Sequence, residues 1–135
     1  MSAPTISIVA ALIRDEAGRV LLVRKRGTAA FMQPGGKRDP GEDDVTALTR
    51  EINEELGCRV LPESILALGV FDAPSANEPG WQVQAAVYSV DVVGAVAPQA
   101  EIAEIVWAHP SAMPDIPLAL LTREHILPLA AAQPC

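Results

Sequence analysis

Apolar and polar positions follow two different periods along this chain. Residues 5–14, TISIVAALIR, are apolar and β-branched and predict a strand. DEAG, 15–18, predicts a turn, with Gly18 free to take a left-handed conformation. RVLLVRK, 19–25, predicts a second strand, so the two form an expected hairpin. FMQ, 31–33, suggests a short third strand before the loop at 36–42. The period then changes to that of a helix, from about Asp43 to Leu56. One or two strands are expected within 59–74, a polar loop at 75–80, and the longest strand at 81–93. A loop at 94–100 leads to a strand around 104–108. A C-terminal helix is expected over 118–132, weakened or kinked by Pro128. This order predicts an α+β fold, with helices packed on a mixed sheet in a single domain spanning 1–135.

At the ideal helical step, Leu48, Ile52, Val45 and Leu56 form one stripe of the helix. Glu51, Glu54 and Glu55 form an adjacent stripe spanning about 100°. Gly57 is a natural residue to end the helix. An ordinary solvated acidic face is one reading of these glutamates. However, Glu51 faces two like charges, and the other two sit in the last turn, where the helix dipole favours cations. Each penalty is about 0.3–0.5 kcal/mol, and all have the same sign. A hard divalent cation would reverse the balance.

Composition narrows the function classes. A net charge of −7 argues against a nucleic-acid polymer as partner, but leaves room for one small nucleotide beside a metal ion. No apolar run reaches the ~20 residues of a membrane span. The first residues lack the basic start of a signal peptide, and the cytoplasm is the expected location. The two cysteines, Cys58 and Cys135, make neither a disulfide framework nor a zinc pattern.

Before the helix stands PGGKRDPGE, 34–42, whose glycines allow close backbone approach and a phosphate cradle. Neither the Walker A spacing nor the EF-hand ladder is present. Loop and helix together read GKRDPGEDDVTALTREINEELGC, from Gly36 to Cys58. This string resembles the Nudix box, G-x5-E-x7-R-E-U-x-E-E-x-G-U. Gly36, Glu42, Arg50, Glu51, Ile52, Glu54, Glu55 and Gly57 stand at the required positions. Only the last aliphatic position departs, where Cys58 stands as a small hydrophobe.

The resemblance implies an α/β/α sandwich and hydrolysis of a nucleoside diphosphate linked to another group. It implies Mg²⁺ or Mn²⁺ held by Glu54 and Glu55, with Glu51 a further ligand or the general base. Arg50 would orient a glutamate, and the Gly36 carbonyl would add a ligand. The family often takes one more carboxylate from a loop outside the box, for which Glu101 and Glu104 are candidates.

Substrate contacts are less marked. Gly35, Gly36 and Lys37 precede the helix, and Asn77 and Glu78 lie in the polar loop. VRKR, 23–26, offers basic charge at a strand end, to meet phosphate or guard an edge strand, with Arg24 and Arg26 the candidate contacts. Phe31, Phe71, Trp81 and Trp107 either stack on a base or fill the core. Pro74, 16 residues beyond Cys58, resembles a loose mark of ADP-ribose-cleaving members. Nucleoside triphosphates, including oxidised dGTP, are the competing substrates. A non-catalytic nucleotide-binding or regulatory module on the same fold is the alternative, and a plain acidic interaction domain is a third. A homodimer suits an enzyme of this size, though no residue marks it.

Overall fold

Five consecutive residues, Val9 to Ile13, are buried, as happens in a strand covered on both faces. The computed structural model describes residues 4–112 and 114–132. Its elements run β1 (Thr5–Ile13), β2 (Val20–Lys25), β3 (Gly35–Lys37), α1 (Asp44–Leu56), β4 (Arg59–Val60), β5 (Leu66–Pro74), β6 (Gln82–Val90), β7 (Val92–Val93), β8 (Ile102–Ala108) and α2 (Leu127–Ala132). A four-stranded sheet has the order β3-β1-β6-β5. It is mixed: β1 and β6 are parallel, from Thr5↔Gln82 to Ile13↔Val90, and the other pairs are antiparallel. β2 pairs with β8, and β4 with β7.

Alternation along the strands sorts the core into two layers. Val9, Ala11, Ile13, Leu21 and Val23 cluster with Ala47, Leu48, Ile52 and Leu56 of α1. Ala10, Leu12, Val20 and Leu22 cluster with Leu121, Ile126, Leu127 and Ala130 of the C-terminal helix. The result is the expected α/β/α sandwich. Leu48, Ile52 and Leu56 are fully buried, each stabilising the fold by about 1.5–3 kcal/mol. Val45 does not join them: it is 45% exposed.

Both ends of α1 are capped as the chemistry requires. The Asp43 carboxylate accepts from the Thr46 N–H at 2.8 Å. Gly57 takes the left-handed conformation, φ 72°, and its N–H bonds the Asn53 carbonyl. The following loop returns to satisfy the last turn. The Gln99 N–H donates to the Glu55 carbonyl at 2.9 Å, and the Ala97 N–H to that of Leu56 at 3.1 Å.

Several expected elements are corrected. The turn at 15–18 forms, but β1 and β2 share one bridge, Arg14↔Val20, and then part into different sheets. Local turn chemistry brought the ends together, while distant partners took the strands. FMQ is not a strand: Phe31 and Met32 make single bridges to Leu118 and Val23. The third strand is Gly35–Lys37, partly inside the expected loop. The span 59–74 holds two strands, within the expectation, β4 and β5, separated by a 3₁₀ turn at Pro62–Ser64. The long strand at 81–93 is divided into β6 and β7. The C-terminal helix starts at 120, and Thr122–Ile126 is wound as a π-helix before α2. There the Leu127 N–H reaches back to the Thr122 carbonyl, immediately ahead of Pro128, which has no N–H to donate. Cys58 is a buried free thiol, while Cys135 lies outside the described residues.

Candidate active site

A cavity of about 380 Å³ opens beside the C-terminal half of α1. Glu51 and Glu55 line it together with Gly35, Gly36 and Lys37. The polar loop with Asn77 and Glu78, the end of β5 at Pro74, and Glu101 complete the rim. Ile6, Ile8, Val83 and Leu121 supply apolar wall.

Arg50 organises the acidic cluster. Its Nε and Nη2 donate to the two oxygens of Glu42, both at 2.8 Å, a bidentate fork. Its Nη1 donates to Glu51 at 2.9 Å and lies 3.6 Å from Glu54, and its Nη2 also reaches the Lys37 carbonyl. The fork, with help from the Asp39 N–H, pulls the Glu42 carboxyl down to about 2. That pairing stabilises the fold fully above the ordinary value of 4.5 and is lost as pH falls toward 2.

Glu55 is the opposite case. It is buried, and its Oε1 accepts from the Gly35 N–H at 3.1 Å. Burial pushes its carboxyl up to about 7, opposed by that hydrogen bond and by Lys25, and reinforced by the charges of Glu51 and Glu101. Burial also raises Glu51, against the pull of Arg50. These carboxylates repel one another in a partly dry site, and cation binding would offset that cost.

The donor set fits a hard divalent cation by its chemistry: Glu51, Glu54, Glu55 and the Gly36 carbonyl are all oxygen ligands. Its geometry is not closed. Among the described residues no three carboxylate, imidazole or thiol groups are gathered around one point. Glu54 is more than half exposed, and both it and Glu51 lean on Arg50. Each meets that guanidinium through one oxygen, Glu51 Oε1 and Glu54 Oε2, which leaves its other oxygen for an ion.

Gly36 makes room for this cluster. A Cβ there would stand 2.7 Å from the Glu51 carboxyl. Glu51 is the far end of a flexible side chain, so Gly36→Ala is expected to cost the fold less than about 1 kcal/mol. It displaces the Glu51 carboxylate all the same. Hydrolysis, if assayed beside a urea melt, falls at least about tenfold at nearly unchanged stability. Unchanged activity would detach Gly36 from the site.

The structure brings most of the expected site residues together. Gly35, Gly36, Lys37, Glu51, Glu55, Asn77, Glu78 and Glu101 line the cavity. Arg24, Arg26, Phe31, Arg50, Glu54 and Glu104 do not, although Arg50 reaches both Glu51 and Glu54 behind it. Glu104 pairs with Arg24 at 3.0 Å on the β2–β8 ladder. Arg26 turns to the Ala100 carbonyl. Phe31 is core, with backbone bonds to Pro117 and Ala119. None of the four aromatics named above lines the cavity, and Phe71 stacks on His125, with ring centroids 5.4 Å apart.

The site also holds residues the sequence reading passed over. Lys25 lines it, while its neighbours Arg24 and Arg26 do not. Arg24 is held on the β2–β8 ladder, the register shifts between it and Lys25, and Arg26 already lies in the following turn, so the three neighbours point differently. Gln33 lines it too, with no sequence signal. Gln33 is 6% exposed; its Oε1 accepts from Thr122 Oγ1 at 3.0 Å, and its Nε2 has no partner among the described residues. A buried donor left unpaired costs about 1–3 kcal/mol.

Residues 4–129 match the family model described as the NUDIX domain. An 8-oxo-dGTP diphosphatase of Haemophilus influenzae is 34% identical over 79 residues, covering 56% of this chain and 58% of that protein. An ADP-ribose pyrophosphatase of Methanocaldococcus jannaschii is 30% identical over 94 residues, covering 67% of this chain and 53% of that one. The chain thus spans little more than half the length of these two relatives. The crystal structure of a MutT NUDIX hydrolase from Burkholderia pseudomallei superposes with a TM-score of 0.74 at 26% identity, covering 97% of this chain and 98% of the other. Among the described residues no helix is long and apolar enough to cross a membrane. With the box residues gathered around Arg50 and one family model spanning residues 4–129, the chain belongs to the Nudix family.

Proposed function

We propose that this protein hydrolyses the pyrophosphate bond of a nucleoside diphosphate linked to another group. The observation that carries this reading is the cavity itself. In about 380 Å³ it joins Glu51, Glu55, Lys25 and Lys37 to the polar loop at 75–78 and to apolar wall from Ile6, Ile8, Val83 and Leu121. Glu51, Glu54, Glu55 and the Gly36 carbonyl would hold Mg²⁺ or Mn²⁺. When bound, such an ion neutralises phosphate oxygens and lowers the pKa of a coordinated water.

The chain's own residues do the rest. Lys25 and Lys37 place positive charge where phosphate enters. Glu51 accepts the proton of the attacking water, with Arg50 fixing its carboxylate. Glu42 anchors Arg50 from behind, so the guanidinium has one orientation. Glu101 reaches the cavity from the loop that caps α1 and is the candidate ligand from outside the box. Glu104, bound to Arg24, is not.

Nucleoside triphosphates and ADP-ribose-like compounds are the substrates to separate, since relatives of both names align with this chain. The test is a panel of both classes with Mg²⁺ or Mn²⁺, products identified. Pyrophosphate release marks cleavage of a triphosphate, and two monophosphates mark a linked diphosphate. Chelation with EDTA is expected to abolish turnover. Turnover of no compound, or turnover that survives chelation, would overturn the reading.

A further inference from the structure

The loop between β3 and α1 is tied at both ends. Arg50 holds Glu42 at one end, and Arg38 makes the tie at the other. We propose that Arg38 is a positioning residue for the hydrolysis: clamped between Ser7 and Asp44, it keeps the preceding Lys37 turned into the cavity, where the ammonium meets a phosphate of the bound substrate. This rests on the reading of the cavity as the site of pyrophosphate hydrolysis.

β3 is too short to fix its own register. It has three residues, two of them glycines, so Lys37 alone brings a side chain. Gly-rich strands are prone to slip, and a slip of one residue turns a side chain to the other face of the sheet. The pairing Ile8↔Lys37 puts these two side chains on one face, and both residues line the cavity. One step further in the same register sets Arg38 against Ser7, on the opposite face. That contact is made: Arg38 Nη1 donates to Ser7 Oγ at 2.9 Å. Its Nε donates to Asp44 Oδ1 at 2.5 Å. Asp44, the first residue of α1, is held in turn by the Tyr88 hydroxyl of β6, which donates to Oδ2.

The clamp is therefore rooted in three elements at once: β1, α1 and β6. A guanidinium suits it, because its planar fork spans two acceptors where an ammonium is a single point of charge. Ser7, Arg38, Asp44 and Tyr88 all lie outside the cavity lining, so their effect on a substrate passes through Lys37. Lys37 is free to receive one. Its carbonyl is held by Arg50 Nη2 at 3.1 Å, while among the described residues its ammonium is in no ion pair, unlike the guanidinium groups of Arg24, Arg38 and Arg50.

The test is steady-state kinetics on the compound that the substrate panel shows to be turned over. Arg38→Gln is expected to raise KM about fivefold and leave kcat within about twofold, since a displaced ammonium weakens the hold on phosphate in ground state and transition state alike. Asp44→Asn opens the clamp but keeps the charge of Arg38, and is expected to have the same effect. Lys37→Met on its own raises KM about tenfold, the loss of one charge-assisted contact. In that background Arg38→Gln adds less than about twofold, because the group it positions is gone. A urea melt of each variant shows that it is folded under the assay conditions. Should Asp44→Asn fail to fold, the cycle between Arg38 and Lys37 decides alone.

An equal rise in KM from Arg38→Gln with and without Lys37 overturns the proposal, because the cluster then supports the fold or meets the phosphate itself. A rise seen in Arg38→Gln and absent from a folded Asp44→Asn assigns the effect to the charge of Arg38 and overturns it too. So does a KM that Arg38→Gln or Lys37→Met leaves unchanged. The two readings fail separately. A chain that turns over nothing in the panel refutes the hydrolase and the positioning role with it. A chain that hydrolyses with a KM indifferent to Arg38 refutes the positioning role and leaves the hydrolase intact.

Discussion

Glu55→Gln is expected to lower turnover by at least about 100-fold while making the metal-free protein more stable at pH 8. Both effects come from one carboxyl. In the folded chain burial raises it from 4.5 to about 7. A folded-state acid with a raised value costs nothing below the unfolded value. Its penalty grows between 4.5 and 7 and is complete above that window. The glutamine keeps Oε1 for the Gly35 N–H and removes the charge. The expected gain is up to about 3 kcal/mol at pH 8, and close to nothing at pH 4. Urea unfolding in EDTA at the two pH values measures it. An equal gain at both would mean that the buried charge is not the source. Glu54→Gln separates the two effects. Glu54 is more than half exposed, so its substitution is expected to cost activity to a similar degree with little change in stability. Full activity in both variants would remove these glutamates from the mechanism.

Gly35→Ala is expected to destabilise the fold by about 3–5 kcal/mol, a large share of a typical total of about 5–15 kcal/mol. A Cβ at this position would lie 2.1 Å from the Val9 carbonyl oxygen and 2.8 Å from the Ala10 Cα. Both are backbone atoms of the central strand and cannot swing aside. Gly35 also has φ 151°, where a side chain is strained whatever the space. Relief requires β3 to leave β1, and with it goes the N–H that holds Glu55. Thermal unfolding is expected to fall by roughly 10–20 °C. A loss below about 1 kcal/mol would show that β3 can shift without the sheet. Its neighbour Gly36 meets only a movable carboxylate, so two adjacent glycines separate into a structural and a functional requirement.

How much of this could be read from the residues depends on the range of the interaction. The helix was legible to its ends, because Asp43 and Gly57 act within one turn of their own positions. The box was legible because Gly36, Glu42, Arg50 and Glu51 meet across a short loop at a spacing the chain keeps. The hairpin was misread where local and distant signals compete. Turn residues placed β1 beside β2, but β1 finds its partner at 82–90. Glu101 and Glu104 looked alike in sequence. One reaches the cavity and the other is taken by Arg24, a pairing of residues 80 positions apart. Gln33 was invisible for the same reason: what makes it unusual is Thr122, on the far side of the fold.

The parallel pairing of β1 with β6 bears on how the chain reaches this structure. Thr5 meets Gln82, and β2 meets β8 across a comparable span. Neither sheet can close until most of the chain is present, so the entropy of a long loop is lost before these contacts compensate for it. Refolding from urea therefore belongs in the millisecond-to-second range rather than the microsecond range of helical bundles. Until then α1 has only half of its support. Its caps are local, but the strands that bury Leu48 and Ile52 come from both ends of the closure. The acidic cluster is thus among the last features to acquire its burial, and the raised carboxyl of Glu55 is a property of the finished fold alone.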